Sequence, residues 1–174
     1  MTETRLSSST DRKRGARESP RLSSALGFAL GRLARRSYGE QELRRKLEQA
    51  GYPAPEIDEV AAWLKRKRYL DDARFAGELA GDRARKGWGP GRIGLALRER
   101  GVGEAEVEQA LTETFPRGEE EPLGRALERY RRSRRVVLGE EKHRARAYRH
   151  LLARGFSPQA ILRALRTAKS EHAS

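Results

Sequence analysis

Two adjacent carboxylates, Asp71 and Asp72, stand in the segment YLDDARFA and are the residues whose type and spacing best suit chemistry. Paired carboxylates can bind a divalent cation or transfer a proton, but at the start of a helix they stabilise free backbone N–H groups. A metal site requires further ligands that converge on the pair, and adjacent helical residues point in different directions. The sequence supplies no converging ligands, so we interpret Asp71 as an N-cap and Asp72 as a first-turn residue. Leu70 and Phe75 are predicted to form a hydrophobic staple across this cap.

Other residue types that catalyse reactions are scarce in this chain. It has no Cys, and its three histidines, His143, His150 and His172, lie in charged segments that indicate solvated surface. No serine nucleophile elbow is present, and nothing combines a nucleophile, a base and an orienting group. We therefore expect no catalytic residues, no metal and no cofactor, and we predict that the chain is not an enzyme.

The segment KGWGPGR (86–92) is glycine-rich, but it lacks the spacing of a phosphate-binding loop and follows a predicted helix. It is typical of a turn between two helices. Gly87 would end the first helix, Gly89 would lie in the turn, and Pro90 would begin the second helix. Trp88 is then expected to pack over the junction between two structural units. The alternative is an exposed Trp88 that anchors a partner.

The elements that must position these residues are predicted from the spacing of apolar residues. From residue 22 onward this spacing is helical, which predicts nine short helices and no strand. Three segments share one layout around Gly51, Gly101 and Gly155: a leucine precedes each glycine by four residues, and Ile or Val follows it by six. Each segment is predicted to be a helix, a glycine C-cap and a second helix. With one more helix before each pair, the repeating unit has three helices.

The predicted fold is all-α, an elongated array of three tandem three-helix repeats without a sheet. The repeats are predicted at residues 22–68, 69–116 and 117–168. Only 36% of residues are hydrophobic, which suits thin layers of amphipathic helices. Residues 1–21, rich in Ser and Arg, are predicted to be a disordered basic arm, and residues 169–174 a tail. Because no signal peptide or membrane-spanning run is recognisable, we expect a soluble, cytoplasmic protein, and we expect a monomer.

The formal net charge of +13 favours a polyanionic partner, because cations that meet phosphates release condensed counterions. The charge is uneven, at +4 in the first repeat, −2 in the second and +8 in the third. Two basic blocks are candidate sites for a partner or for nucleic acid, and the alternative for each is a solvated helix face. The blocks are Lys65, Arg66, Lys67 and Arg68 in the first repeat, and Arg131, Arg132, Arg134, Arg135, Arg144, Arg146 and Arg149 in the third.

Three segments, SYGEQELRRKLEQAGY, YLDDARFA and RARKGWGPGRIGLALRERGV, resemble the signature of the bacterial RecX regulatory proteins. The likeness extends from about Leu26 to Leu165, although the third repeat matches more in its layout of helices and turns than in its residue identities. Gly39 departs from the pattern, because the family often has Ser as the helix cap at this point. We expect Ser37 and Glu40 to supply a capping box instead.

The resemblance implies an elongated, all-helical, non-catalytic protein that binds the RecA recombinase, typically as its filament on DNA. It implies modulation of strand exchange and ATP hydrolysis, with inhibition as the favoured direction, in DNA repair, recombination and the SOS response. The residues themselves indicate only the repeats and an anionic partner, such as single- or double-stranded DNA bound non-specifically. They leave open an independent nucleic-acid-binding protein whose units act like helix-turn-helix readers. Glu104, Glu106 and Glu108 argue against that alternative, because they make the last helix of the second repeat hostile to phosphate.

Overall fold

Nine α-helices make up the part of the chain that the computed structural model describes, residues 20–170, and no strand occurs within it. The helices, in chain order, are α1 (Pro20–Leu33), α2 (Glu40–Gln49), α3 (Ala54–Arg66), α4 (Asp72–Arg85), α5 (Pro90–Glu99), α6 (Glu104–Thr114), α7 (Glu120–Arg134), α8 (Glu141–Ala153) and α9 (Pro158–Ser170). None of these helices is long and apolar enough to cross a membrane.

The helices pack in successive groups of three, and each group has its own apolar core. We call them the first unit (α1–α3), the second unit (α4–α6) and the third unit (α7–α9). Each fully buried Leu, Ile or Val stabilises its unit by about 1.5–3 kcal/mol. The largest such side chains are Leu43, Leu47, Ile57, Val60 and Leu64 in the first unit, Ile93, Leu97 and Val107 in the second, and Leu123, Leu138, Leu151 and Ile161 in the third. The predicted all-α fold of tandem three-helix repeats is confirmed.

One kind of glycine turn recurs at the same place in every unit. Gly51, Gly101 and Gly155 have φ angles of +87°, +79° and +86°, which are left-handed conformations that side chains disfavour. The residue after each glycine donates its N–H to the carbonyl of the leucine four residues before the glycine, at 3.1–3.3 Å. This is the Schellman arrangement, and it satisfies carbonyls that the helix end leaves without partners. The glycines therefore have the C-cap role that the repeat pattern predicted.

The outer ends of the predicted layout coincide only in part with the described helices. Helix α1 begins at Pro20, inside the range predicted for the basic arm, and α9 ends at Ser170, inside the range predicted for the tail. Residues 1–19 and 171–174, which hold the rest of the arm and tail, lie outside the described residues.

Three local predictions about helix starts are corrected by the structure. The repeat layout predicts Pro55 as the first residue of the helix after Gly51, but it is the second residue of α3, because Pro53 is the N-cap and Ala54 comes first. Leu70 packs in the core of the first unit and Phe75 in that of the second, so the expected staple pair is divided between two cores. The expected capping box of Ser37 and Glu40 is also wrong, because the N-cap of α2 is Gly39 and no side chain of its own caps this helix.

Candidate nucleic-acid interface

The arginines predicted to bind an anion in the third unit lie at the end of α7, in the loop after it, and on α8. Arg131 and Arg132 both donate hydrogen bonds to Glu128, at 3.1 and 2.9 Å. Arg144 is partly buried and donates to the carbonyls of Leu138 and Gly139 in the α7–α8 loop, at 3.2 and 2.5 Å. These three side chains therefore have structural partners, and Arg144 holds the loop in place.

The remaining arginines of this block are exposed, and three of them lie on α7 and α8, two helices that pack against each other. The rings of Tyr130 and His150 lie 4.8 Å apart, so the last turn of α7, which carries Arg134, runs beside α8. Arg146 and Arg149 are exposed on α8 just before His150. We call Arg134, Arg135, Arg146 and Arg149 the exposed arginine cluster. It is the part of the predicted block best placed to meet phosphates.

The histidines beside this cluster are not the solvated surface that the sequence suggested. His143 and His150 are both partly buried, and His143 Nδ1 lies 3.0 Å from the carbonyl oxygen of Val137. Burial lowers the pKa of His150, and the positive charges of Arg154 and Arg134 lower it further. His150 is therefore a neutral packing residue at pH 7. His172 lies outside the described residues.

The basic block of the first unit, like that of the third, contains both paired and exposed side chains. Lys65 Nζ lies 2.8 Å from Glu40 Oε2, and Arg44 Nε lies 2.9 Å from Glu40 Oε1. Burial alone would raise the pKa of Glu40, but the hydrogen bonds from Lys65 and Arg44 outweigh it and lower that pKa. Arg66, Lys67 and Arg68 are exposed beyond this network. Lys65 thus has an internal partner, whereas its three neighbours face solvent.

Asp71 and Asp72 serve two different helices. Asp71 Oδ1 accepts the N–H of Arg74 at 2.9 Å and is the N-cap of α4. Asp72 Oδ1 accepts the N–H of Glu40 at 2.8 Å, across the junction between the first and second units. Burial raises the pKa of Asp72, and that hydrogen bond opposes the shift. The described residues contain no group of three or more acidic or histidine side chains that could hold a metal ion.

The first junction, between the first and second units, explains why the capping box is absent. Gly39 is the N-cap of α2 and offers no side chain, so Asp72 accepts the N–H at the start of this helix instead. A Cβ on Gly39 would lie 3.3 Å from the carbonyl oxygen of Arg100, so the second unit approaches the start of α2 closely. Arg45 completes the junction by donating to the carbonyl of Glu99 at the end of α5, at 3.2 Å.

The second junction, between the second and third units, is made by the segment KGWGPGR. The N–H groups of Gly89 and Gly91 donate to the carbonyls of Arg154 and Gly155, at 2.7 and 3.0 Å. The first turn of α5 is therefore bonded to the end of α8. Because a Cβ on Gly89 would lie 2.6 Å from the Gly155 backbone, only glycine permits this approach.

Arginine side chains close the second junction, and the sequence predicted this contact for none of them. Arg154 donates to the Lys86 carbonyl at 2.9 Å, Arg129 to the Arg85 carbonyl at 3.1 Å, and Arg92 to the Ala153 carbonyl at 3.2 Å. Each guanidinium thus satisfies a carbonyl at a helix end. No spacing rule identifies them, because an arginine that reaches another unit looks the same in sequence as one that faces solvent.

Trp88 lies within this junction. The residue is partly buried against the core of the second unit, with the Arg92 guanidinium 3.9 Å and the Arg83 guanidinium 4.9 Å from its ring centroid. Gly87, at φ +80°, ends α4 before it, and Pro90 begins α5 after it. Trp88 has the packing position expected of a residue in a helix-to-helix turn.

The sequence relationships agree with this arrangement of units. Residues 25–64 match the family model described as "RecX, first three-helix domain", and residues 71–111 match "RecX, second three-helix domain". The "Regulatory protein RecX" of Pasteurella multocida (strain Pm70) is 33% identical over 144 residues, which cover 80% of this chain and 85% of that protein. The chain belongs to the RecX family. The protein of the same name from Cronobacter sakazakii (strain ATCC BAA-894) is also 33% identical, over 78% of this chain and 87% of its own length.

Solved RecX structures have the same fold. The crystal structure of RecX from Lactobacillus salivarius superposes with a TM-score of 0.73 and 20% identity, covering 85% of this chain and 96% of that one. Another crystal structure, of a regulatory protein RecX, gives a TM-score of 0.67 and 23% identity over 80% of this chain and 69% of that one. This RecX chain is thus a regulatory protein by family, built from helical repeats.

Proposed function

We propose that this RecX chain binds the RecA recombinase, as the filament that RecA forms on DNA, and inhibits its strand exchange and ATP hydrolysis. Family membership and the regulatory name of its relatives support this role. In this proposal the chain acts by binding and not by catalysis, and the engagement of the paired carboxylates Asp71 and Asp72 at two helix starts supports it.

The exposed arginine cluster is the observation that carries the proposed DNA contact. Arg134 is exposed on the last turn of α7, Arg146 and Arg149 are exposed on α8, which packs against α7, and the third unit holds most of the net charge of the protein. Clustered guanidinium groups bind phosphate oxygens and release counterions, so affinity falls as salt rises. Binding of this kind does not depend on base sequence.

An independent helix-turn-helix reader is the less favoured function. Such a protein places polar side chains of one helix against base edges in the major groove. In the second unit the corresponding last helix, α6, begins with Glu104 and Glu106, and Glu108 is exposed on its second turn. Carboxylates at these positions repel a phosphate backbone, which leaves the second unit better suited to contact protein.

A pull-down against recombinase tests the central proposal. The purified chain is mixed with RecA alone, with RecA and nucleotide, and with RecA filament assembled on single-stranded DNA. We expect retention by the filament and a lower rate of ATP hydrolysis. Absence of retention in all three mixtures would contradict the proposed partner.

Charge reversal tests the DNA contact. Changing Arg134, Arg146 and Arg149 to Glu should weaken binding to free DNA and flatten the slope of log affinity against log salt by about 0.9 per lost contact for duplex, or about 0.7 for single strands. The matched control changes Arg117, Arg125 and Arg166, which are exposed outside the cluster, and alters the net charge equally. If both triple variants lose the same affinity and slope, the cluster is a solvated face and only the total charge matters.

A further inference from the structure

An aromatic pair brackets the basic block of the first unit, with Trp63 before the block and Tyr69 directly after it. The rings of Trp63 and Tyr69 are nearly parallel, at 6°, with centroids 5.9 Å apart. Trp63 packs against the core of the first unit, but Tyr69 remains 53% exposed. A single exposed aromatic is ordinary on a protein surface, so a binding role for Tyr69 has to be argued from the residues around it.

The turn that presents Tyr69 contains an unusual backbone conformation. Arg68 has a φ angle of +57°, and the Tyr69 N–H donates to the Leu64 carbonyl at 2.9 Å to close the end of α3. Among the described residues, the other left-handed positions are five glycines and Arg135, which belongs to the exposed arginine cluster. A glycine would remove the conformational cost at Arg68. The Arg68 backbone therefore has a conformation that costs free energy on folding, and such conformations are common at functional sites.

Basic residues precede Tyr69 in the sequence, and a cavity lies beside it. The three residues just before Tyr69 are exposed cations: Arg66, Lys67 and Arg68. Lys65, in contrast, is paired with Glu40. A cavity of about 380 Å³ lies between α1 and α4, within the size range of small-ligand pockets. Its walls combine apolar residues with both basic and acidic ones, among them Tyr69, Phe75, Leu33, Arg68, Arg74, Asp71 and Glu78.

We propose that this surface binds single-stranded nucleic acid, with an unstacked base on the Tyr69 ring and the adjacent phosphates on Arg68 and its neighbours. A base in a duplex has both faces covered by its neighbours, so a stacking platform selects single strands. Charge alone makes no such selection, because guanidinium groups bind the phosphates of either form. The site would therefore give this chain a preference that the exposed arginine cluster lacks. The inference rests on the proposed function only in taking nucleic acid as a partner.

The first test compares ring variants without recombinase. Binding of a labelled short oligo(dT) and of a duplex of the same length is measured by fluorescence anisotropy. Tyr69→Ala should weaken oligo(dT) binding about 5- to 100-fold and leave duplex binding unchanged, whereas Tyr69→Phe should retain both. The matched control is Leu95→Ala, since Leu95 is 56% exposed and lies in the second unit. In a Trp88→Phe background Trp63 is the only tryptophan, so its emission can be followed by itself. We expect oligo(dT) to quench this emission, because Trp63 lies beside the Tyr69 ring.

The second test separates a role in binding from a role in folding. Arg68→Gly should raise the melting temperature, because glycine accepts the left-handed conformation, while it weakens oligo(dT) binding and flattens its salt slope by about 0.7. Arg135→Gly is the matched variant, and it should also raise the melting temperature but weaken oligo(dT) and duplex alike.

Several results would overturn the stacking site. They are wild-type affinity of Tyr69→Ala for oligo(dT), equal losses for oligo(dT) and duplex, or no measurable oligo(dT) binding by the wild-type chain. A melting curve of each variant identifies a loss of folding, and Tyr69→Phe then decides whether the ring is required. Because recombinase is absent from these assays, their outcome is independent of the pull-down that tests the proposed function.

Discussion

Asp71 and Asp72 are adjacent in sequence, but their side chains stabilise the starts of different helices. Asp71 caps its own helix, α4, and Asp72 caps α2 of the preceding unit. The second role compensates for Gly39, the N-cap residue without a side chain. A pair that could have formed half of a metal site therefore connects two units instead.

We predict that these carboxylates respond differently to amidation and to pH. Asp71→Asn should change the free energy of unfolding by less than about 0.5 kcal/mol, because an amide oxygen still caps the helix, whereas Asp71→Ala should cost about 0.5–2 kcal/mol. Asp72→Asn should be at least as stable as wild type at pH 7, because its oxygen still accepts the Glu40 N–H and no charge is buried.

The sign of the pH effect follows from the raised pKa of Asp72. Its contribution to stability is present below the unfolded pKa and is lost as pH rises through the folded pKa. Wild type should therefore gain stability relative to Asp72→Asn as pH falls through that range. Urea denaturation of both proteins at several pH values measures this difference. A gap that is constant with pH would contradict the assignment.

Glycine turns have two roles at the scale of helices. Gly51 and Gly155 have nearly equal φ angles, +87° and +86°, and each ends a helix. A Cβ on Gly51 would meet nothing within 4 Å, but one on Gly155 would lie 2.3 Å from the Arg92 backbone nitrogen. Gly155 therefore ends α8 and also receives the start of α5, whereas Gly51 only ends α2.

We predict that alanine at these two positions has unequal effects. Gly51→Ala should cost about 1–2 kcal/mol for the left-handed conformation alone. Gly155→Ala should cost more, because it also displaces α5 and breaks the hydrogen bonds of Gly89 and Gly91. Hydrogen exchange should show faster exchange of the Gly89 and Gly91 amides in Gly155→Ala only. Equal destabilisation, with unchanged exchange at both amides, would show that the second junction does not depend on this approach.

At the scale of the molecule, three apolar cores are joined by polar contacts. The units meet through carbonyls at helix ends that accept from glycine N–H groups and from arginine side chains. Positive charge is concentrated in the third unit, while the second unit carries a small negative charge. The units thus share a fold but differ in the partner that their charge favours.

We predict that the purified chain hydrolyses neither DNA nor ATP. The sequence singled out one pair of carboxylates for chemistry, Asp71 and Asp72. Both cap helices in the structure. Nuclease and phosphate-release assays with magnesium or manganese measure this directly. The Asp71→Asn/Asp72→Asn double variant is the control. DNA cleavage by wild type that disappears in this variant would mean that the carboxylates are catalytic.

The sequence by itself determined the helices, the three repeats and the glycine turns. Helical spacing of apolar residues and a left-handed glycine at a helix end are local properties, and both occur in each of the three repeats. Charge per unit is likewise a matter of composition. The N-cap position of Asp71 follows from its neighbours for the same reason.

Only the tertiary structure decided which polar side chains reach across the chain. Asp72 caps a helix that starts 32 residues earlier, and Arg154 reaches a carbonyl 68 residues away. The packing of separate units sets such distances, so no local pattern encodes them. Within the units, folding pairs Lys65 with Glu40, bonds Arg144 to the α7–α8 loop, and leaves Arg134 and Arg149 exposed. It therefore divides the basic blocks into structural charges and charges available to a partner.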